Sequence, residues 1–200
     1  MSTKKSVSRI SSILFVLAFM LALTFSALNV TPAQAAGIRY AKPGGTGDCS
    51  SWANACTLQT ALTGATSGDE IWVATGTHKP TTNVTNRSAT FQLKSGVALY
   101  GGFAGTETAR SQRNPATNVT ILSGDIDNND SQTPIITDLA TVTGNTTNSY
   151  HVVTGATGAP LDGFTITAGN ANGADIYSSG SGGGMFNVLA VVTNMTFDKS

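Results

Sequence analysis

Three aspartates lie close together in residues 125–130, which read Asp-Ile-Asp-Asn-Asn-Asp. Asp125, Asp127 and Asp130 lie with two side-chain amides within six residues, and hard cations such as Ca²⁺ bind clusters of oxygen ligands of this kind. An EF-hand loop would need Gly at its sixth position and Glu at its twelfth, where this chain has Asp130 and Ile136. Two interpretations stay open. The three aspartates form a Ca²⁺ site, the one cofactor that the sequence indicates, or the segment is a solvated, asparagine-rich turn.

The sequence contains no recognisable pattern of polysaccharide-cleaving residues. Glycoside hydrolases use a pair of carboxylates, whereas the acidic residues here are spread along the chain with no Asp-Asp pair. Arg110 and Arg113 resemble the arginine cluster of pectate lyases in composition only, and they are expected in an exposed loop. No Gly-x-Ser-x-Gly elbow occurs. The sequence therefore assigns no catalytic residue and favours a protein without enzymatic activity.

Two aromatic residues are candidates for binding carbohydrate. Trp52 lies in a short loop between two cysteines, and Tyr100 comes directly before a Gly-Gly pair. Rings of this kind present an apolar face and a polar edge, which suits contact with a sugar. Trp72 lies inside a β-type run, so its predicted role is packing in the core. Trp52 and Tyr100 are therefore the predicted carbohydrate-binding residues.

The N-terminal segment has the organisation of a secretory signal peptide. Three basic residues precede an apolar run over 13–28, which ends in small residues at Ala33 and Ala35. The run is shorter than the ~20 residues of a membrane-spanning helix. We therefore expect residues 1–35 to be removed and the mature chain, which contains no membrane span, to be secreted or held at the cell surface.

The charge balance excludes one class of ligand, and the cysteine content predicts a disulfide. The formal net charge is zero, with 11 basic and 11 acidic residues. This balance excludes nucleic-acid binding through bulk positive charge. The two cysteines, Cys49 and Cys56, lie seven positions apart. In an exported protein such a pair predicts a disulfide, and the alternative is two buried thiols.

Composition and patterning indicate an all-β fold. Charged residues make up only 11% of the chain, and 22 residues are glycine, which indicates many turns. One short helix is predicted over 57–63, where Leu58, Ala61 and Leu62 share a face. The predicted strands are short β-branched or aromatic runs bounded by turn residues: 70–74, 90–94, 97–100, 119–122, 151–154, 161–167, 185–187 and 194–197.

A solenoid explains these runs better than a β-sandwich. Two-residue hairpin turns between alternating strands, which a sandwich favours, are not evident. Several runs recur at intervals of 20–30 residues, the length of one solenoid turn. We therefore predict a right-handed parallel β-helix with the 57–63 helix as its N-terminal cap.

Several segments resemble a known group of proteins. Residues 40–62, 67–77, 99–108, 113–127 and 161–170 resemble exported bacterial right-handed parallel β-helix proteins that are similar in fold to pectin lyases. Gly-Gly-Gly-Met-Phe-Asn at 182–187 and Thr-Asn-Met-Thr-Phe at 193–197 resemble the repeat of polymorphic outer-membrane proteins. The chain departs from that repeat after Phe197, where the expected Asn is absent.

The expected organisation is a signal peptide over 1–35, an N-terminal cap with the cysteine loop over 36–66, and β-helix coils over 67–200. We expect the coils to continue past Ser200. The resemblance implies a non-catalytic protein of the cell surface or extracellular space, with a role in adhesion or in contact with polysaccharide or a cell-surface glycan. The alternative is a polysaccharide lyase or glycoside hydrolase of the same fold.

Overall fold

The fold consists of short parallel strands arranged in three sheets. A computed structural model describes residues 36–175, 179–187 and 190–198, so the predicted signal peptide over 1–35 lies outside the described residues. The strands are β1 (Ile38–Ala41), β2 (Glu70–Ala74), β3 (Gly76–His78), β4 (Phe91–Gln92), β5 (Ala98–Phe103), β6 (Thr120–Ser123), β7 (Val153–Thr154), β8 (Pro160–Asp162), β9 (Thr165–Thr167), β10 (Met185–Phe186), β11 (Val191–Thr193) and β12 (Thr196–Asp198). One α-helix, α1 (Leu58–Gly64), and two single-turn 3₁₀ helices (Arg110–Gln112 and Asn145–Thr147) complete the described elements.

The chain visits the three sheets in a repeating order. The sheets have the strand orders β1-β2-β5-β8-β11, β3-β6-β9-β12 and β4-β7-β10, and every pairing is parallel. From β2 onward, successive strands enter the five-stranded, the four-stranded and the three-stranded sheet, and the cycle then repeats. Parallel neighbours need long connections, which explains why strands that pair lie far apart in the sequence. The all-β prediction is confirmed at this level.

Apolar side chains form ladders in which one residue per strand stacks on its neighbour. In the five-stranded sheet Ile71, Leu99 and Leu161 are in register and fully buried. Phe91 and Val153 form an equivalent buried pair in the three-stranded sheet. Strands in a sheet lie ~4.8 Å apart, so these side chains are in direct contact and form the core.

The ladders are covered at one end and exposed at the other. Helix α1 buries Leu58 and Leu62 against the first strands. The Thr57 side chain accepts a hydrogen bond from the Thr60 N–H and so caps the helix N-terminus. At the opposite end Phe197, which pairs with a buried isoleucine of β9, is 51% exposed, because no described strand lies beyond β12.

The cysteine loop is fastened to the first strand. Cys49 and Cys56 are joined by a disulfide. The Tyr40 N–H donates to the Cys49 carbonyl and the Cys56 N–H donates to the Tyr40 carbonyl. The region predicted as a cap therefore also supplies strand β1, which the sequence analysis did not identify. In the described part of the chain, no helix has the length and apolar character needed to cross a membrane.

Candidate functional site

One face of the five-stranded sheet carries a row of aromatic and polar side chains. Tyr40, Trp72, Tyr100 and Asp162 occupy matching positions on β1, β2, β5 and β8. Successive side chains of a strand point to opposite faces, so this row lies on the other side of the sheet from the Ile71 ladder. We call these four residues the outer row.

Four rings pack together at the N-terminal end of the outer row. Trp72 stacks on Phe103 with ring centres 4.8 Å apart. Tyr40 meets Trp52 and Trp72 edge-on, at 4.9 and 5.7 Å. The half-buried Trp52 also donates its indole N–H to the Glu107 carbonyl oxygen at 2.9 Å. These four rings form an aromatic platform, and the hydrogen bonds of the two indole N–H groups, from Trp52 to the Glu107 carbonyl and from Trp72 to Glu70 Oε2, hold it in place.

The turn that anchors Trp52 is itself held by a carboxylate. The Glu107 side chain accepts backbone N–H groups of Ala104, Gly105 and Thr106 at 2.6–3.0 Å. Burial acts to raise the pKa of this carboxyl, but the backbone hydrogen bonds outweigh it and the pKa lies below its usual value. Glu107 is therefore a charged structural group at neutral pH.

Tyr100 continues the outer row beneath two arginines. The guanidinium carbons of Arg110 and Arg113 lie 4.4 and 5.2 Å from the centre of its ring, within the range of cation–π attraction. Arg110 Nη1 is 2.7 Å from Glu70 Oε1, and Arg113 Nη2 is 3.0 Å from Asp162 Oδ1. Two ion pairs, with carboxylates from β2 and β8 on either side of β5, therefore flank Tyr100.

A glycine allows the arginine segment to cross the sheet so closely. Gly102 has a φ of +91°, and a Cβ at this position would lie 2.7 Å from the backbone and ring atoms of Pro115. Its carbonyl accepts the Asn114 N–H at 2.7 Å, while the Gly101 carbonyl accepts from Arg113 Nη1 at 3.1 Å. The Gly-Gly pair after Tyr100 thus fixes the position of Arg113.

A surface cleft of about 490 Å³ lies beside this cluster. Arg110 is the most exposed of the paired side chains, at 47%. On the opposite side Asn194 Nδ2 donates to Asp162 Oδ1 at 2.9 Å. The cleft is lined by guanidinium, hydroxyl, amide and small apolar groups from Arg110, Ser111, Arg113, Asn114, Pro115, Ala116 and Asn194.

Electrostatics keep the Arg113–Asp162 pair charged. Burial acts to raise the pKa of Asp162, but hydrogen bonds from Asn194 and Arg113, together with the guanidinium charge, lower the pKa below its usual value. A guanidinium beside a carboxylate stays protonated. Arg113 is therefore suited to binding and positioning rather than to accepting a proton.

The structure brings both predicted carbohydrate-binding residues to this face. Trp52 belongs to the aromatic platform and Tyr100 lies under the two arginines. The cleft beside them offers Arg110, Asn114 and Asn194 as polar contacts. Carbohydrate binding by Trp52 and Tyr100 stays a prediction.

The acidic segment 125–130 presents its carboxylates to different partners. In the described part of the chain, no group of three His, Cys, Asp or Glu side chains is placed to hold a metal ion. Lys79 Nζ lies 3.8 Å from Asp125 Oδ2 and also donates to the Asp125 carbonyl and to Asn128 Oδ1. The Lys79 ammonium therefore balances the first of the three predicted ligands.

Of the other two aspartates, Asp127 bonds within its own segment and Asp130 bonds to a second segment. Asp127 Oδ2 accepts from Asn129 Nδ2 at 2.9 Å, and Asp130 Oδ2 accepts from Asn148 Nδ2 at 2.8 Å. Burial raises the pKa of Asp130, an effect that the Asn148 hydrogen bond opposes and the neighbouring Asp125 and Asp127 charges reinforce. The Ca²⁺ site with all three aspartates as ligands stays a prediction.

His78 is a buried titratable group close to the core. It is 4% exposed, and a ring nitrogen lies 2.9 Å from the Ala74 carbonyl oxygen. Burial lowers the pKa of this histidine, and the hydrogen bond to the carbonyl opposes the shift only in part. His78 is therefore neutral at physiological pH.

Comparison with known proteins adds no family. A scan against protein-family models, a search of curated proteins and a search of solved structures each found no match to this chain. The functional conclusion therefore depends on the residues and their geometry.

Sequence reasoning missed the pairing of the charged groups. Arg113 was predicted in an exposed loop, yet its side chain is only 16% exposed and is paired with Asp162. Glu70 received no role, although its carboxylate binds both Arg110 and the Trp72 indole N–H. These contacts join residues 40 and 49 positions apart, and a single sequence gives no signal for which distant strands will be neighbours.

Proposed function

We propose that this chain is an exported, non-catalytic β-helix protein that contacts polysaccharide through the face around Tyr100. The observation that carries the proposal is the outer row itself. A half-buried tyrosine, a rigid aromatic platform and two arginines lie beside a cleft lined by amides and a hydroxyl. Sugars present both hydroxyl groups and apolar ring faces, and this surface offers partners for both.

The repeating visit to three parallel sheets supports the proposed β-helix. A chain that enters three sheets in a fixed cycle and adds one parallel strand to each follows the path of a solenoid. Right-handed crossovers between parallel strands predominate strongly, which is why we propose the right-handed form. The resemblance of the sequence to exported β-helix proteins supports the same architecture and the placement at the cell surface.

Repetition explains how such a face would bind an extended ligand. Equivalent positions on neighbouring strands recur at ~4.8 Å, so the half-buried Tyr40 and Tyr100 and the exposed Arg110 lie along a line rather than in one deep pocket. Arg110 is the side chain that can reorient most easily toward a ligand, because it is 47% exposed and its pair with Glu70 is partly solvated. Affinity would then arise from several weak contacts acting together.

A second candidate function is polysaccharide cleavage at the same face. The grouping of two arginines and two carboxylates around Tyr100 favours it, because these are the kinds of side chain that polysaccharide-cleaving enzymes use. The four residues are Arg110, Arg113, Glu70 and Asp162. Against it, both guanidinium groups are engaged in ion pairs with carboxylates, so neither is free to act as a base. Incubation with uronate polymers and Ca²⁺ distinguishes the two functions, because new ultraviolet absorbance from an unsaturated product would establish a lyase.

Affinity electrophoresis through gels containing soluble polysaccharides tests the proposed function. We expect at least one neutral or acidic polysaccharide to retard the protein, and Arg110→Ala to weaken that retardation about tenfold. Lys42→Ala is the matched control, because Lys42 is an exposed cation that lines a different cavity. Equal retardation of wild type and Arg110→Ala, or loss of binding in Lys42→Ala alone, would overturn the assignment to this face.

A further inference from the structure

Among the described residues, four buried oxygen atoms without hydrogen-bond partners belong to residues 127–130 and 148–149, two segments that are in contact. They are Asp127 Oδ1, Asp130 Oδ1, Asn148 Oδ1 and Ser149 Oγ. Asn148 and Ser149 are fully buried and Asp130 is 6% exposed. More than 90% of buried polar groups in proteins have a partner, so a concentration of unpaired oxygens at one place indicates that something else binds there.

These atoms belong to two segments that are bonded to each other. Asn148 Nδ2 donates to Asp130 Oδ2 at 2.8 Å. Asn129 Nδ2 lies 2.9 Å from both Asp127 Oδ2 and Thr147 Oγ1, and so bridges the same two segments. In Asp127, Asp130 and Asn148 one atom of the carboxylate or amide group makes the hydrogen bond and the other is the unpaired oxygen. The unpaired oxygens therefore lie where the two segments meet. We call this contact the 127–149 seam.

Charge is unbalanced at the seam. Lys79 lies 3.8 Å from Asp125 and compensates that carboxylate. No cation is paired with Asp127 or Asp130 among the described residues. One divalent cation would balance the charge of both carboxylates.

We propose that the 127–149 seam binds one divalent cation, Ca²⁺, through Asp127, Asp130, Asn148 and Ser149. The atoms without partners are carboxylate, amide and hydroxyl oxygens, the hard ligands that Ca²⁺ prefers, and its flexible coordination tolerates such a mixed set. The site differs from the three-aspartate site predicted from the sequence, because Lys79 occupies the place beside Asp125 and residues from 148–149 complete the ligands. A cavity of about 260 Å³, bounded in part by Lys79, Asp125 and Asp130, adjoins the seam.

The main alternative is a neutral Asp130 with buried water at the seam. A neutral carboxyl and a water molecule would also satisfy some of these oxygens. The two explanations predict different responses to metal. Only the cation site gives a saturable, one-to-one gain of stability with Ca²⁺, because a ligand that binds the folded state alone raises the unfolding temperature.

Calorimetric titration and thermal unfolding of the chelator-treated protein with CaCl₂ test the proposal, with MgCl₂ as the comparison. We expect one Ca²⁺ per chain, weaker binding of Mg²⁺, and a loss of Ca²⁺ affinity of about tenfold or more in Asp130→Asn. Asp127→Asn serves as the second variant because this side chain is half-exposed. Asp138→Asn is the matched control, an exposed aspartate of a nearby loop.

The variants also report on folding. In chelator, Asp130→Asn is expected to unfold at a temperature equal to or above that of wild type, because it removes an uncompensated buried charge. In CaCl₂ the order should reverse. Absence of Ca²⁺ binding by wild type at millimolar concentration, or an equal loss of affinity in Asp138→Asn, would overturn the site.

Discussion

Removal of Arg113 is the sharpest test of how the candidate site is built. The side chains of Arg113 and Asp162 are each 16% exposed, and three donor contacts join the guanidinium to Asp162 Oδ1, the Asp162 carbonyl and the Gly101 carbonyl at 3.0–3.3 Å. A hydrogen bond to a charged group contributes about 1.5–3 kcal/mol, and breaking a buried ion pair costs about 3–5 kcal/mol. Asn194 still binds Asp162 in the variant. We therefore expect Arg113→Ala to lower the free energy of unfolding by about 2–3 kcal/mol.

Arg110→Ala is the matched control for this prediction. Both arginines lie over Tyr100 and pair with a carboxylate, but Arg110 is 47% exposed and Glu70 is 30% exposed. Exposed ion pairs contribute about 0–1 kcal/mol, so this variant should lose about 1 kcal/mol or less. Equilibrium unfolding in urea measures both, and Asp162→Asn completes a double-mutant cycle with Arg113→Ala. Equal losses in the two arginine variants, or no coupling between Arg113 and Asp162, would refute the reasoning.

Three further predictions concern other structural groups. Because burial lowers the pKa of His78, the unfolded chain binds a proton that the folded chain does not, and the free energy of unfolding should fall as the pH drops below about 6.5. Unfolding measured at pH 5 and 7.5 should show a weaker pH dependence in His78→Gln. The Cys49→Ser/Cys56→Ser double variant should have a free energy of unfolding about 2.5 kcal/mol lower in urea titration, because it removes a cross-link that closes a loop between residues seven positions apart. Gly102→Ala should lower the free energy of unfolding by about 1–3 kcal/mol, because the φ of Gly102 is +91° and Pro115 fills the space that a Cβ would occupy. Val84→Ala, at an exposed position, is the control and should change the free energy of unfolding little.

The main core could be predicted from local sequence patterns. The apolar run over 70–74 coincides with β2, and the predicted 57–63 helix is displaced by only one residue from α1. In the helix the spacing of apolar residues sets which face is buried, whereas β2 is a continuous apolar run that is buried on both faces. The predicted 161–167 strand is divided into β8 and β9, because Gly163 has a φ of +85° and turns the chain between two sheets.

Other elements depend on distant partners and so left little local signal. β1 was missed because the short run over 38–41 becomes a strand by pairing with β2, about 30 residues later. β5 continues through Gly101 and Gly102, which were interpreted as its end, because the glycines allow the segment around Pro115 to pack closely. Trp72 is buried as predicted, but on the outer face of the sheet, where the rings of Tyr40 and Phe103 pack against it.

The candidate site was only partly predictable for the same reason. Trp52 and Tyr100 were chosen as aromatic residues near glycines or in a loop, and both lie on the outer face. Their charged partners could not be inferred, because the pairs Arg110–Glu70 and Arg113–Asp162 depend on strand register. The seam between 127–130 and 147–149 likewise joins two loops whose contact has no periodic pattern.

The protein contains a built-in reporter for its proposed function. Trp52 and Trp72 are its two tryptophans, and both belong to the aromatic platform beside Tyr100. Tryptophan emission, measured during titration with the polysaccharide that binds best in affinity electrophoresis, therefore tests the central claim directly. We expect a saturable change in emission. Its amplitude should be smaller in Trp52→Phe, and the affinity that it reports should be about tenfold weaker in Arg110→Ala. Binding with unchanged emission, or no emission change with any polysaccharide, would contradict the central claim.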